Sequence, residues 1–154
     1  FKQANTVMGS GHILLFYTAL DTWRAHKIFG NGIKSFRVDC GKYIPYPYSW
    51  HGLCSTHPHN YYLEILTEMG IVGFSLTIIF AVIFLAYLLK NFKFFKGNSL
   101  EEYILLSAAI SLFLELFPFR STGSLFSTSS ATYIILVVSI ILCHKKLMKT
   151  GNSQ

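Results

Sequence analysis

From Ile71 to Leu89 the chain runs nineteen residues without a charged side chain, and Lys90, Lys93 and Lys96 follow at once. At about 1.5 Å per residue such a run makes a helix about 28 Å long, close to the roughly 30 Å of hydrocarbon in a bilayer. A run of that length and composition predicts a membrane-spanning helix. The rest of the chain agrees: of 154 residues, 52% are hydrophobic and only 13% are charged.

Two further apolar segments follow. Tyr103 to Phe119 contains one acid, Glu115, and Ser121 to Cys143 is uncharged but rich in serine and threonine in its first half. The fold class expected is therefore all-α and polytopic, with spans at about 71–89, 103–119 and 123–143. Residues 1–70 are then an extracytoplasmic loop region, and residues 144–154 a cytoplasmic tail. Lysines set this orientation. The cluster after the first span and the His144-Lys145-Lys146-Leu147-Met148-Lys149 cluster fall on one side of three spans, and the positive-inside rule makes that side cytoplasmic. Residues 24–60 and the turn at Pro118–Ser124 share the opposite face. Glu115 is costly inside a membrane and marks a functional candidate, or else it reaches water at the end of its span.

Upstream, residues 1–12 read as a loop with Gly9-Ser10-Gly11. No Met opens the chain and no signal-peptide pattern is present, so the sequence is expected to begin inside a larger protein. Ile13, Leu14, Phe16, Tyr17, Leu20 and Trp23 have helical spacing over a run too short to span, which predicts an interfacial helix. Lys27 to Cys54 is a loop punctuated by glycine and proline, with Gly30-Asn31-Gly32 as a turn. Its aromatics, Tyr43, Tyr46, Tyr48 and Trp50, suit an interfacial belt. Cys40 and Cys54 lie in this loop; they pair if it faces an oxidising compartment, and otherwise they are two free thiols.

The chemistry concentrates in Ser55–Gly73. As one helix from Pro58, residues 59, 63, 66, 70 and 73 line one face. His59 heads this stripe, and Gly70 and Gly73 end it as a place where another helix packs closely. Glu64 and Glu68 fall on the other side, in early turns where carboxylates suit the helix dipole. His59 is a general base, a metal ligand or a plain interfacial histidine. His51, His57 and His59 form a possible metal set, but the His-x-His pair lacks the spacing of a helical zinc motif, and the reading adopted has no metal. The only arginines, Arg24, Arg37 and Arg120, all fall on the extracytoplasmic face, against the positive-inside preference. That placement suggests an anion, phosphate first, with headgroup contact as the alternative. Basic residues are clustered, not interleaved with aromatics in a stripe, so nucleic acid is not an expected partner. No Ser/His/Asp triad, phosphate-loop motif or internal repeat is assigned.

His59-Asn60, nine residues, then Gly70-Ile71-Val72-Gly73 resembles the signature of the O-antigen ligase and polymerase superfamily, which includes bacterial protein O-oligosaccharyltransferases. The run Trp23 to Phe36, ending Gly30-Asn31-Gly32-Ile33-Lys34-Ser35-Phe36, is similar to the family's stretch before its large periplasmic loop. Pro118 to Phe126 looks like the turn before the last helix of many members. The likeness extends over most of residues 9–143. One departure is Gly11-His12, where relatives often carry Gly-Arg.

The resemblance implies the C-terminal fragment of a multi-helix, C-type glycosyltransferase in the bacterial inner membrane, with its site facing the periplasm. Such an enzyme is metal-independent, uses no cofactor and inverts the anomeric centre. It moves a glycan from undecaprenyl diphosphate to an acceptor hydroxyl, such as that of lipid A-core. His59 takes the family's general-base position. Arg37 and Arg24 are the candidate diphosphate contacts, with Asn60, His57 and Arg120 as further substrate contacts. An O-antigen or exopolysaccharide polymerase and a protein O-oligosaccharyltransferase are the alternatives within the superfamily. A non-catalytic transporter or export subunit is the alternative outside it. Transporters place ionisable groups at mid-membrane, whereas here only Glu115 lies within a span.

Overall fold

A computed structural model describes residues 11–42, 54–92 and 99–151, with only the backbone described for residues 11, 12, 91, 92 and 144–151. Among the described residues all regular structure is helical: α1 (Gly11–Ala25), α2 (Phe36–Asp39), α3 (Tyr61–Phe92), α4 (Leu100–Glu115) and α5 (Thr128–Gly151). The Tyr43–Trp50 aromatics and His51 lie outside the described residues. The chain divides into two compact units. One is the chain to Ile78 together with Pro118–Ser127, and the other is Ile79–Phe117 together with the chain from Thr128.

In the first unit, α1 forms where apolar and small residues recur at helical spacing. Leu15, Thr18, Ala19 and Thr22 make its buried face, and the Thr18 and Thr22 hydroxyls donate to the carbonyls of Leu14 and Thr18 one turn back. A helix is thus present where Ile13–Trp23 predicts one, and its buried stripe packs on protein. Ala19 meets Phe36 and Cys40 in a small core that Leu63 completes. Trp23 spends its indole N–H on the Lys27 carbonyl at 3.1 Å.

The long helix α3 is broken. Gly70 has φ 64° and ψ −167°, a conformation essentially restricted to glycine. The break frees carbonyls before it and N–H groups after it, which a single helix would pair internally. The loop after α1 takes them up. Asn31 N–H donates to the Thr67 carbonyl (3.3 Å) and Gly32 N–H to that of Glu68 (2.9 Å). Lys27 and Ile28 carbonyls accept from Ile71 N–H (2.9 Å) and Val72 N–H (3.2 Å). The loop lies so close that a Cβ on Gly70 would overlap the Ile28 and Gly30 backbone, and one on Gly30 would overlap Glu68. The expected turn at Gly30-Asn31-Gly32 therefore exists, with φ 68° and 99° at its glycines, and its role is to fill the break.

Two expectations change here. Residues 59, 63, 66, 70 and 73 do not share one helical face, because the helix begins at Tyr61 and is interrupted at Gly70. What approaches Gly70 is a loop and not a helix, and Gly73 faces the Met69 side chain one turn earlier.

Among the described residues, one helix is long and apolar enough to cross a membrane, Tyr61–Lys90. Its apolar side chains face outward (Leu76, Phe80 and Ile83 are all more than 60% exposed), unlike the core helix of a soluble protein. In the second unit α4 and α5 pack through Leu105, Ala108, Leu112, Val137 and Ile141, with Phe84, Tyr87 and Leu88 of α3 against them. Ser99 caps α4 by accepting from Glu102 N–H at 3.2 Å. The helical bounds differ from the expected spans 103–119 and 123–143. Helix α4 ends at Glu115 and α5 starts at Thr128, because Pro118–Ser127 is a loop bonded into the first unit. Glu115, expected within a span, is the last residue of α4.

Gly70 and Gly32 separate backbone strain from steric exclusion. Nothing lies within 4 Å of a Cβ at Gly32. Gly32→Ala is expected to cost about 1–2 kcal/mol, the price of a left-handed alanine. Gly70→Ala is expected to cost more than about 3 kcal/mol, because the loop must also be expelled. Denaturant unfolding in detergent checks this, and equal losses would contradict the loop-filled break.

Candidate functional site

Asn60 starts α3. Its side-chain oxygen accepts from Tyr62 and Leu63 N–H, both at 3.1 Å, and its carbonyl accepts from Glu64 N–H at 3.0 Å. That is the geometry of an N-cap, a position asparagine favours. Helix onset at Tyr61 leaves Pro58 buried outside the helix and His59 just before the cap, where the expectation had both in the first turn. The Asn60 side-chain amide also donates to the Pro118 carbonyl at 2.7 Å. One buried side chain thus caps the helix and holds the α4–α5 loop.

His59 has φ 56°, rare for a residue with a side chain. Thr122 N–H donates to its carbonyl at 2.9 Å. Its ring Nε2 lies 3.3 Å from Ser55 Oγ, and the rings of His57 and His59 are 4.3 Å apart, tilted by 50°. The His57 Nδ1 is 3.0 Å from Thr56 Oγ1. Burial pushes the His57 imidazole below its ordinary value, with the Arg37 charge acting the same way and the Thr122 backbone opposing.

The residues that sequence reasoning missed are Glu64 and Glu68. The sequence puts them on the helix side opposite His59, where carboxylates suit the helix dipole, but both are only 1% exposed. Glu64 accepts from Ser124 Oγ (2.5 Å) and Leu125 N–H (2.6 Å), so it fastens the loop that also holds His59. Glu68 accepts from Lys34 N–H at 2.5 Å, fastening the loop that fills the break at Gly70. Its other oxygen, Oε1, is buried without a hydrogen bond. Both carboxyls precede the apolar run and both titrate above the ordinary range. Burial is the main cause, and for Glu68 the charge of Glu64 adds to it. Hydrogen bonds and the nearby Arg37 pull back on both. The one hint in the sequence was two acids a helical turn apart, directly before nineteen uncharged residues.

Among the arginines, Arg37 is exposed on α2, close enough for its charge to act on His57, Glu64 and Glu68. Arg120 is exposed on the loop whose Pro118 and Thr122 bond Asn60 and His59. Arg24 is ion-paired with Asp21 within α1 at 2.5 Å. Cys40 and Cys54 form a disulfide, with Cα atoms 5.7 Å apart, that ties the end of α2 to the residue before Ser55. Arg37 and His59 are therefore carried on covalently linked segments. Among the described residues no three His, Cys, Asp or Glu side chains are grouped to hold a metal, and His51 of the possible metal set lies outside them.

The partly buried His57, with its lowered pKa, stabilises the fold above about pH 6.5, and that contribution is lost as pH falls through its folded value. The two glutamates act oppositely: their contribution is full below the ordinary carboxylate range and is lost as pH rises through their elevated values. The difference between wild type and His57→Gln isolates the histidine. Wild type is expected to lose stability relative to His57→Gln as pH falls below about 6.5, read by thermal unfolding in detergent. A pH-independent difference would contradict the lowered His57 pKa.

Comparison with known proteins bears on residues 3–78, which match a family model described as O-antigen ligase. No curated protein and no solved structure matches the chain. The matched stretch carries α1, the disulfide, the His59-Asn60 pair and the break at Gly70. The match supports the O-antigen ligase and polymerase superfamily, in its C-terminal part, for residues 3–78.

Proposed function

We propose that this chain carries the base and part of the diphosphate site of a glycosyltransferase of the O-antigen ligase type. In this reading a glycan leaves undecaprenyl diphosphate for an acceptor hydroxyl, such as that of lipid A-core, at the outer face of the inner membrane. The acceptor oxygen attacks the anomeric carbon from the side opposite the diphosphate. The carbon–oxygen bond to the diphosphate breaks with its electron pair, and the configuration inverts. The acceptor proton passes to a ring nitrogen of His59, for which an imidazole near neutrality is well suited. The diphosphate leaves as an anion and needs cations rather than a proton. Arg37 and Arg120 are the candidates, since each is exposed and sits on a segment bonded or linked to the histidine. Arg24 ranks behind them because Asp21 already neutralises it. Asn60 and His57 shape the wall beside the base, and no metal is required at any step.

The observation that carries this is the convergence on His59. A loop some sixty residues away holds it at two points, through Thr122 N–H to its own carbonyl and through Pro118 to Asn60. A left-handed backbone is costly for histidine, and such conformations cluster at functional sites. The orientation is supported by the Cys40–Cys54 disulfide, since disulfides persist in oxidising compartments, and by the lysines at the far end of the span.

The test is complementation of a strain lacking the protein with the whole reading frame carrying His59→Ala. Loss of a positioned general base is expected to slow transfer by about 10²–10⁴-fold, with normal amounts of protein in the membrane. Wild-type transfer by that variant would remove His59 from the reaction.

A further inference from the structure

The loop that fills the α3 break also exposes a group of large apolar side chains that neither the site nor the core uses. Ile28 is 58% exposed, Phe29 74%, Ile33 61% and Val38 63%, all within eleven residues. The exposed cations Lys34 and Arg37 stand between them, and Lys27 directly before. Single exposed apolar residues are ordinary, but a contiguous group rimmed by charge marks a contact surface.

The backbone fixes where that surface lies. Lys27 and Ile28 carbonyls bond Ile71 and Val72 N–H, so this loop is tied to the first turn of the apolar run. That run continues without a charge to Leu89, long enough to cross a bilayer, so residues 27–29 fall at the boundary where it enters the hydrocarbon. Part of the loop's polar backbone is spent on protein: Gly30 N–H on His26, Asn31 N–H on Thr67, Gly32 N–H on Glu68 and Ser35 N–H on Gly32. Satisfied backbone lowers the cost of approaching the hydrocarbon. Lysine stems lie along apolar surface and keep their ammonium groups among headgroups, where anionic lipids attract them.

We propose that the His26–Ser35 loop is a membrane-surface wedge, with Ile28, Phe29 and Ile33 set into the acyl boundary of the leaflet where the apolar run of α3 begins and Lys27 and Lys34 on its anionic headgroups. The wedge holds the Gly70 break, and with it the segment carrying Arg37, at a fixed depth. It does not rest on the proposed reaction.

Site-directed spin labelling of the full-length protein tests this, with other free thiols replaced and the disulfide intact. The label is attached at Phe29→Cys and separately at Ile33→Cys, in vesicles of phosphatidylcholine and phosphatidylglycerol. Power saturation compares oxygen, which concentrates in lipid, with a nickel chelate, which stays in water. High oxygen and low nickel access are expected at both positions, at a depth within about 10 Å of the phosphate plane, with Leu76→Cys as the deeper reference. Nickel access like that of a water-exposed site would overturn the proposal. So would low access to both reagents, which would mean that protein covers the loop. If Phe29→Cys does not fold, Ile33→Cys decides alone.

Discussion

A glycine that will not continue a helix organises the first unit. At Gly70 the backbone turns into a region closed to residues with a Cβ, and the hydrogen-bond ladder of α3 is cut. Four backbone groups are thereby orphaned, and the loop after α1 satisfies them by lying directly against the break. Everything nearby follows from that insertion: the left-handed turns at Gly30 and Gly32, the approach of α2 and the burial of Glu68 beneath Lys34. A continuous helix would leave the loop no groups to bond and Glu68 no reason to be buried.

The two acids then divide the work of assembly. Burying a carboxyl is costly unless it is hydrogen-bonded. Glu64 meets that requirement through Ser124 and Leu125, and Glu68 meets it on one oxygen through Lys34. Each brings a distant segment onto the same short stretch of helix, one from the α4–α5 connection and one from the α1–α2 connection. His59 sits where these converge, its own backbone held by Thr122 and its neighbour Asn60 by Pro118. The site is therefore built from short backbone contacts and not from a preformed cluster of reactive side chains.

Much of this was legible in the sequence, and the rest was not for identifiable reasons. The apolar run after Gly70, the helix at Ile13–Trp23 and the His59-Asn60…Gly70…Gly73 pattern could be read because periodicity and fixed spacing are local properties. The sequence reading took Gly70 for a packing surface; its role is conformational, and a glycine's φ leaves no mark on the composition around it. Helix onset was misplaced by two or three residues because Pro58 suits a first turn as well as Asn60 suits a cap. Glu64 and Glu68 read only as acids suited to the helix dipole, because their partners, Ser124, Leu125 and Lys34, lie about sixty and thirty-four residues away. No local rule links such positions. The disulfide stood between two readings for the same reason, since proximity decides pairing and spacing alone does not.

The central claim is that the histidine segment, clamped by the α4–α5 loop and linked to Arg37 by a disulfide, stands on the outer side of the membrane. The most direct measurement is labelling of spheroplasts with a membrane-impermeant maleimide. One full-length variant carries a lone free thiol at His59→Cys and another at Lys93→Cys. Modification of position 59 from outside is expected, with position 93 reacting only after lysis. Modification of position 93 in intact spheroplasts, with position 59 protected until lysis, would contradict the account.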